Sequence, residues 1–416
     1  MDASELMSGI AVVIDDAINA TSDPNGDSDT TNDLIWKIVY WFETEWKMPF
    51  VKQASLPDRT YWPNLLRSAS FVLLDWRLWG AGGETLRSGT IQSILEFLMY
   101  ARENLVPVFI LTNEDPEEVR IELNKLPNDV YDEQVAETNF VFVERKTEFW
   151  SENGVDIAKL QKWVYGNASV YSLKTWHRVL DEAKSELFQA MCRRSVNWPR
   201  VFWQTYRTDR VEPSASLTNL INDSMRGRMR VDAFDGNHLE GTAGNVSPEE
   251  LRRLIAETSF RGNDVLPADE IRCGDLFAGS RQRYWLNLRP DCDCIPRRGE
   301  NIEEVDVYCI QGKRLRAKDL VRKFDNGRFL ERVSEAIVFG IHEGNSILFR
   351  FNELQVTKYS EFKARRIGRL LHPFVTRVQQ RYALYLQRQA LPSIPNAAVP
   401  RNSPVLKCGS THLPRG

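Results

Sequence analysis

Short runs of β-branched and aromatic residues recur along the first 150 positions, and each ends on polar side chains. Ala11-Val12-Val13-Ile14 runs into Asp15-Asp16, and Phe71-Val72-Leu73-Leu74 into Asp75. Val106 to Leu111 runs into Thr112-Asn113, and Phe140-Val141-Phe142-Val143 stops just before Lys146. Phe50-Val51 is a briefer run of the same kind. Runs that are apolar at every position predict strands buried on both faces. Between them the spacing changes to three and four, at Leu34, Ile38, Trp41 and Phe42 and again at Ile91, Ile94, Leu95, Leu98 and Met99. These are the stripes of amphipathic helices. Asp115-Pro116-Glu117-Glu118 reads as a helix start, with Asp115 as N-cap and Pro116 at the first helical position. Residues 156–165 close the series as a helix, and the polar stretch Thr21 to Thr31 reads as a loop. Alternation of this kind predicts an α/β fold over residues 1–150: a doubly wound, parallel, five-stranded sheet with helices on both faces.

The remainder reads differently. Residues 151–265 predict a mainly helical region, with Trp176, Val179, Leu180, Ala183, Leu187 and Met191 at helical spacing, a shorter helix at Leu217 to Met225, and a capped start at Ser247-Pro248-Glu249-Glu250. Phe260 to Pro267 reads as a linker. Residues 266–357 carry short strand-like runs near 271–277, 284–288, 305–310, 336–341 and 346–351, which predict a small β-rich, barrel-like domain. Over residues 358–392, Ile367, Leu370, Leu371, Phe374, Val375, Val378 and Tyr382 trace a stripe opposite Arg365, Arg366 and Arg369, predicting basic amphipathic helices broken at Pro373. Residues 393–416, rich in Pro, Ser and Asn, are expected to form a flexible tail.

Charge sharpens the division. The 416 residues carry 54 Lys/Arg and 57 Asp/Glu, a net charge of -3, which excludes a strongly basic or strongly acidic chain. Yet residues 1–150 hold 12 basic and 26 acidic side chains, leaving 42 and 31 for the rest. The acidic part should repel nucleic acid and attract a cation. The basic part leaves contact with nucleic acid open, above all through Arg365, Arg366 and Arg369. Six cysteines are too few for a disulfide-stapled scaffold. The apolar runs all fall short of the ~18 residues a membrane span needs. The start, MDASELMSG, has none of the marks of a signal peptide, so a cytoplasmic location is expected.

In open α/β sheets the working site lies beyond the carboxyl ends of the strands. There the pattern places Asp15 and Asp16 after the first strand, Asp75 after the third, Thr112 after the fourth and Lys146 after the fifth. Clustered carboxylates need a cation, and hard oxygen ligands suit Mg²⁺. A carboxylate beside such an ion can act as nucleophile toward a phosphoryl group, with the hydroxyl and the ammonium meeting the developing charge. A second candidate site lies at Asp291-Cys292-Asp293-Cys294, which His342 and Glu343 could join. Cys273, Cys292, Cys294 and Cys309 raise the question of zinc, although Cys292-x-Cys294 is tighter than usual zinc spacing and free cysteines are commonly small buried hydrophobes.

The segments AVVIDD, FVLLDWRLWG, VPVFILTN and FVFVERK together resemble the receiver domain of two-component response regulators, over residues 9–150. The resemblance implies that Asp15 and Asp16 bind Mg²⁺ together with Asp75 and the backbone carbonyl of Arg77. It implies that Asp75 accepts phosphate from a histidine kinase, and that Thr112 and Lys146 contact the phosphoryl group. Four features depart from the family pattern: the long gap from Asp16 to Asp75, filled by residues 19–33 and 52–64, Asn113 after Thr112, Val143 where an aromatic is usual, and Thr147 where a proline is usual. The whole layout, ending in RIGRLLHPFVTRVQQRYALYLQRQALPSIP, is similar to bacterial response receiver proteins. That similarity implies a GHKL-type ATPase or histidine-kinase-like partner in a conflict or anti-phage setting. Three further readings stay open: a pseudo-receiver adaptor that is never phosphorylated, an effector enzyme, and a nucleic-acid-binding protein acting through the C-terminal half. A homo-oligomer is compatible with each.

Overall fold

The computed structural model describes residues 3–19, 34–78, 84–128, 130–132, 140–151, 154–209, 211–240, 246–296, 300–388 and 395. The chain divides into two compact units, Met1–Arg200 with Leu217–Thr242, and Val201–Ser216 with Ala243–Gly416. The expected loop at Thr21 to Thr31 lies outside the described residues, as does nearly all of the expected tail. Among the described residues no helix is long and apolar enough to cross a membrane.

The N-terminal unit is built on five parallel strands, β1 (Ile10–Ile14), β2 (Phe50–Gln53), β3 (Ala69–Leu74), β4 (Val108–Thr112) and β5 (Val141–Arg145), in the order β2-β1-β3-β4-β5. Side chains alternate across the sheet. Val12, Ile14, Val72, Leu74, Val108, Ile110, Val141 and Val143 therefore enter one core, beneath α2 (Trp62–Arg67), α3 (Glu84–Glu103) and α4 (Pro116–Leu123). Ala11, Val13, Phe71, Leu73, Phe109 and Leu111 enter the other, beneath α1 (Leu34–Glu45) and α5 (Ile157–Gly166). The sheet is thus doubly wound, as the uniformly apolar runs require. Asp115 caps α4 by accepting the Glu117 amide at 3.3 Å, with Pro116 at the first turn. Part of the extra length before Asp75 is put to use: Asp58 caps a short turn at Arg59–Tyr61, and Trp62 then enters the core.

The long α6 (Ala168–Arg194) starts at Asn167, whose side chain accepts the Val170 amide at 3.0 Å. Its Lys174 is buried and donates to the carbonyl and, at 3.3 Å, the hydroxyl of Ser70 at the start of β3. Burial depresses its pKa to about 8. His238 returns to this unit and stacks on Tyr165 at 4.2 Å.

The C-terminal unit is a curled antiparallel half-barrel of β6 (Phe260–Gly262), β7 (Asp275–Ala278), β8 (Arg283–Asn287), β9 (Asp306–Arg314), β10 (Glu335–Gly340), β11 (Asn345–Lys358) and β12 (Arg366–Leu370), ordered β10-β11-β9-β8-β7-β12-β6. A register shift between Ile310 and Gln311 bends the long pairing of β9 with β11. Helix α7 (Pro248–Ser259) opens with the expected capping box, Ser247 and Glu250 each accepting the other's amide. It packs against both terminal strands, β10 and β6. The outward backbone of β10 is covered as well: Glu331 accepts the Ile337 amide at 2.6 Å, and Arg377 and Arg381 donate to the carbonyls of Ile337 and Glu335. Masking of this kind blunts an edge strand as a template for further strand pairing.

Two readings are corrected here. The linker expected at Phe260 to Pro267 contains β6. Residues 366–370 are a strand and not part of an amphipathic helix; two short 3-10 turns, Tyr359–Glu361 and Lys363–Arg365, precede it, and Phe374–Leu386 is the α-helix of this stretch among the described residues, as α8. Ile367 and Leu370, three apart, both reach the half-barrel core because the pairing of β12 with β7 shifts register between Arg366 and Gly368. Burial of Arg366 and Arg369 gives strand pairing the advantage, because their charges find partners inside the sheet.

Candidate functional site

Three strand ends converge at the carboxyl rim of the parallel sheet. β1 and β3 are neighbours, with Ile14 beside Leu74, so Asp15 and Asp75 emerge side by side; the Asp75 amide donates to the Ile14 carbonyl at 2.8 Å. Asp16 joins them, and one carboxylate oxygen from each of Asp15, Asp16 and Asp75 lies within 4.8 Å of the other two. Asp15 is fully buried and Asp75 nearly so, while Asp16 is exposed. β5 hands Lys146 to the same place at the first turn of a short helix, Lys146–Phe149. Its Nζ lies 2.8 Å from Asp15 Oδ2 and 3.4 Å from Asp75 Oδ2, and the side chain is 1% exposed. Thr112 ends β4, partnered in register with Arg145, and its buried hydroxyl accepts the Glu114 amide at 3.0 Å. Arg77 follows Asp75 by two residues with its side chain exposed, and its amide helps hold the Asp75 charge.

The electrostatics of this rim are unfinished. Lys146 balances one of three carboxylates. Asp75 Oδ1 is buried without a hydrogen-bond partner among the described residues. Burial is the main reason that the Asp75 carboxyl is pushed up to about 7; the Lys146 ammonium pulls it down and Asp15 adds to the rise. An orphaned buried oxygen beside two further carboxylates fits a hard dication, which Asp15, Asp16 and Asp75 would hold. All-oxygen donors fit Mg²⁺ better than a soft transition metal.

The second candidate region behaves otherwise. Asp291–Cys294 form a single helical turn. Asp291 Oδ1 accepts the Cys273 amide at 2.8 Å, whereas Cys292 and Asp293 face solvent. Cys273, Cys294 and Cys309 are buried, and burial raises all three thiols, Cys294 to about 12. Among the described residues no candidate metal cluster contains a cysteine. These are inert core thiols, not a zinc site. His342 packs near the rings of Phe260 and Tyr284, away from any such cluster.

The expected basic helical face at Arg365, Arg366 and Arg369 is also corrected. Arg365 lies over the Phe362 ring. Arg366 donates to Asn263 Oδ1 at 2.7 Å and to the carbonyls of Glu270 and Pro267, and Arg369 donates to Asp275 Oδ1 at 2.6 Å. Asp275 and Glu270, the acids that receive these arginines, were not singled out from the sequence. The available signal was an aspartate at an inward position of an otherwise apolar strand, Asp275-Leu276-Phe277.

A parallel, doubly wound sheet with a buried acidic cluster and a lysine at its carboxyl rim is consistent with a receiver-like domain and compatible with a regulatory role. No family model, no curated protein and no solved structure matches the chain. Fold and site therefore carry the functional reading together.

Proposed function

We propose that the N-terminal unit is a signalling receiver that accepts a phosphoryl group on Asp75 with the help of Mg²⁺, and so controls an output in the C-terminal half. The observation that supports this best is Lys146 Nζ standing between Asp15 and Asp75, beside an Asp75 oxygen that has no hydrogen-bond partner among the described residues. A cation held by the three aspartates would keep Asp75 ionised and offset charge on the phosphoryl oxygens. Asp75 then attacks phosphorus: an aspartyl O–P bond forms, the donor's P–N bond breaks, and the leaving imidazole takes up a proton. Lys146 and the Thr112 hydroxyl are the groups placed to meet the transferred oxygens. A histidine-kinase-like or GHKL-type protein is the donor that the sequence resemblance suggests, and an anti-phage setting goes with it.

Incubation with acetyl phosphate and Mg²⁺ tests the reading. Intact mass should rise by one phosphoryl group, hydroxylamine should remove it, and Asp75→Asn should abolish it. Wild-type protein that takes no label, yet binds its partner equally well with Asp75→Asn, would be an unphosphorylated adaptor instead.

A further inference from the structure

Asp291 and Arg369 stand 78 positions apart in the chain, yet both line one cavity of about 420 Å³ in the C-terminal unit, with Arg261, Glu270, Arg272 and His372. Most of these charges are matched. Arg272 pairs with Glu270, His372 Nε2 lies 3.6 Å from Asp291 Oδ2, and Arg369 Nε donates to Asp275. Two guanidinium groups retain unused donors. Arg369 is 8% exposed, and its Nη2 is buried with no hydrogen-bond partner among the described residues. The Arg261 guanidinium is exposed and makes no hydrogen bond or ion pair among the described residues.

Strand register explains why these two matter together. Arg369 is the direct partner of Asp275 across β12–β7 and of Arg261 across β12–β6. Directly paired residues project to the same face of a sheet. The row Asp275, Arg369, Arg261 therefore places a neutralising carboxylate on one side of Arg369 and a second positive charge on the other. Like charges at such positions destabilise the pairing, and the one carboxylate that reaches Arg369 from the lining, Glu270 at 3.4 Å from Nη1, is shared with Arg272.

We propose that this cavity is an oxyanion-binding site, taking a phosphate or carboxylate group between Arg261 and Arg369. Guanidinium groups keep their charge when buried, and their forked donors match both kinds of oxyanion. Glu270 and Asp291 in the same lining repel a polyanion, so the ligand is a small molecule bearing one such group and not a nucleic-acid backbone.

The test uses the full chain without Mg²⁺, in an Asp75→Asn background that silences the N-terminal rim. Inorganic phosphate and acetate are titrated separately against chloride at matched ionic strength, by calorimetry and thermal unfolding. Binding that raises the unfolding temperature is expected; phosphate alone would mark a phosphorylated ligand, and both anions a carboxylate-tolerant site. Arg261→Gln should weaken binding by about tenfold or more, as loss of a charge-assisted hydrogen bond requires, and leave the ligand-free protein no less stable. If neither anion binds better than chloride, or if Arg261→Gln binds as tightly as the parent, the site does not exist.

Discussion

Each unit of this protein buries an aspartate against a cation, and the two clusters are finished to different degrees. In the half-barrel, Asp275 is fully buried between Arg366 and Arg369, and the three guanidinium nitrogens of Arg366 meet an amide oxygen and two backbone carbonyls. At the rim of the parallel sheet, Asp75 shares Lys146 with Asp15, and among the described residues one of its oxygens has no donor. Burial raises both aspartates. A buried carboxylate with both oxygens met, as Asp275 has from Arg369 Nε and the Arg272 amide, holds a fold together, while one with a bare oxygen has capacity left for a ligand. The location agrees with this division: the first cluster staples three regions of one sheet, and the second sits where successive strand ends open onto solvent at Asp16.

The largest expected effect comes from breaking the finished cluster. Asp275→Ala strands two buried guanidinium groups, and removing one partner of a buried ion pair costs about 3–5 kcal/mol. The C-terminal unit should lose its cooperative transition in urea, followed by circular dichroism and limited proteolysis. The Asp75 labelling reaction should survive, because its groups all belong to the other unit. Loss of labelling together with the half-barrel would show that the two clusters are not independent.

The unfinished cluster should respond in the opposite sense. In metal-free protein the Asp75 carboxyl is raised to about 7 in the folded state, above its ordinary value of 3.8. The folded state therefore holds that proton more tightly than the unfolded chain does. Its stabilising contribution is complete below about pH 4 and is lost as pH rises through about 7. Asp75→Asn should stabilise the metal-free N-terminal unit at pH 8 by up to about 4 kcal/mol, the linkage value of a shift of that size. The gain should shrink as pH falls toward 4. A variant that is less stable than wild type at pH 8 would mean that the Asp75 carboxylate is already satisfied without a metal.

The two clusters also differ in how readable they were. The rim could be anticipated because parallel strands repeat one arrangement: an apolar run, then a polar residue at its carboxyl end. Asp15, Asp75, Thr112 and Lys146 each close such a run, and topology alone then brings strand ends 60 or 71 positions apart into register, counting from Asp15 to Asp75 and from Asp75 to Lys146. The half-barrel offers no such rule. Arg366 and Arg369 are three apart, which suits one face of a helix and would split them between the faces of a regular strand; both meet Asp275 across a register shift between Arg366 and Gly368, and their partners Asp275 and Glu270 lie more than 90 positions upstream. Antiparallel register depends on turns and bulges, such as the shift after Ile310, that periodicity does not record. The cysteines left two readings open for a related reason: Cys292 and Cys294 are adjacent but one, yet a helical turn sends the first to solvent and the second into the core.

The smallest effect separates the clusters by what they bind. A cation that occupies only the folded N-terminal unit stabilises it by mass action, about 1.4 kcal/mol at tenfold excess over its dissociation constant. Mg²⁺ should therefore raise the unfolding temperature of the N-terminal transition at pH 8 and leave the C-terminal transition where it was. Asp15→Asn should remove the response, since it deletes one of the three donors and leaves Lys146 to neutralise Asp75 alone. Ca²⁺ should act more weakly, because three close carboxylate oxygens suit the smaller ion. Should Mg²⁺ instead shift the half-barrel, the assignment of finished and unfinished clusters would be reversed. The spare donors of Arg261 and Arg369 argue against that reversal on charge grounds: a site with guanidinium donors left over attracts anions and repels the cation that the aspartate rim calls for.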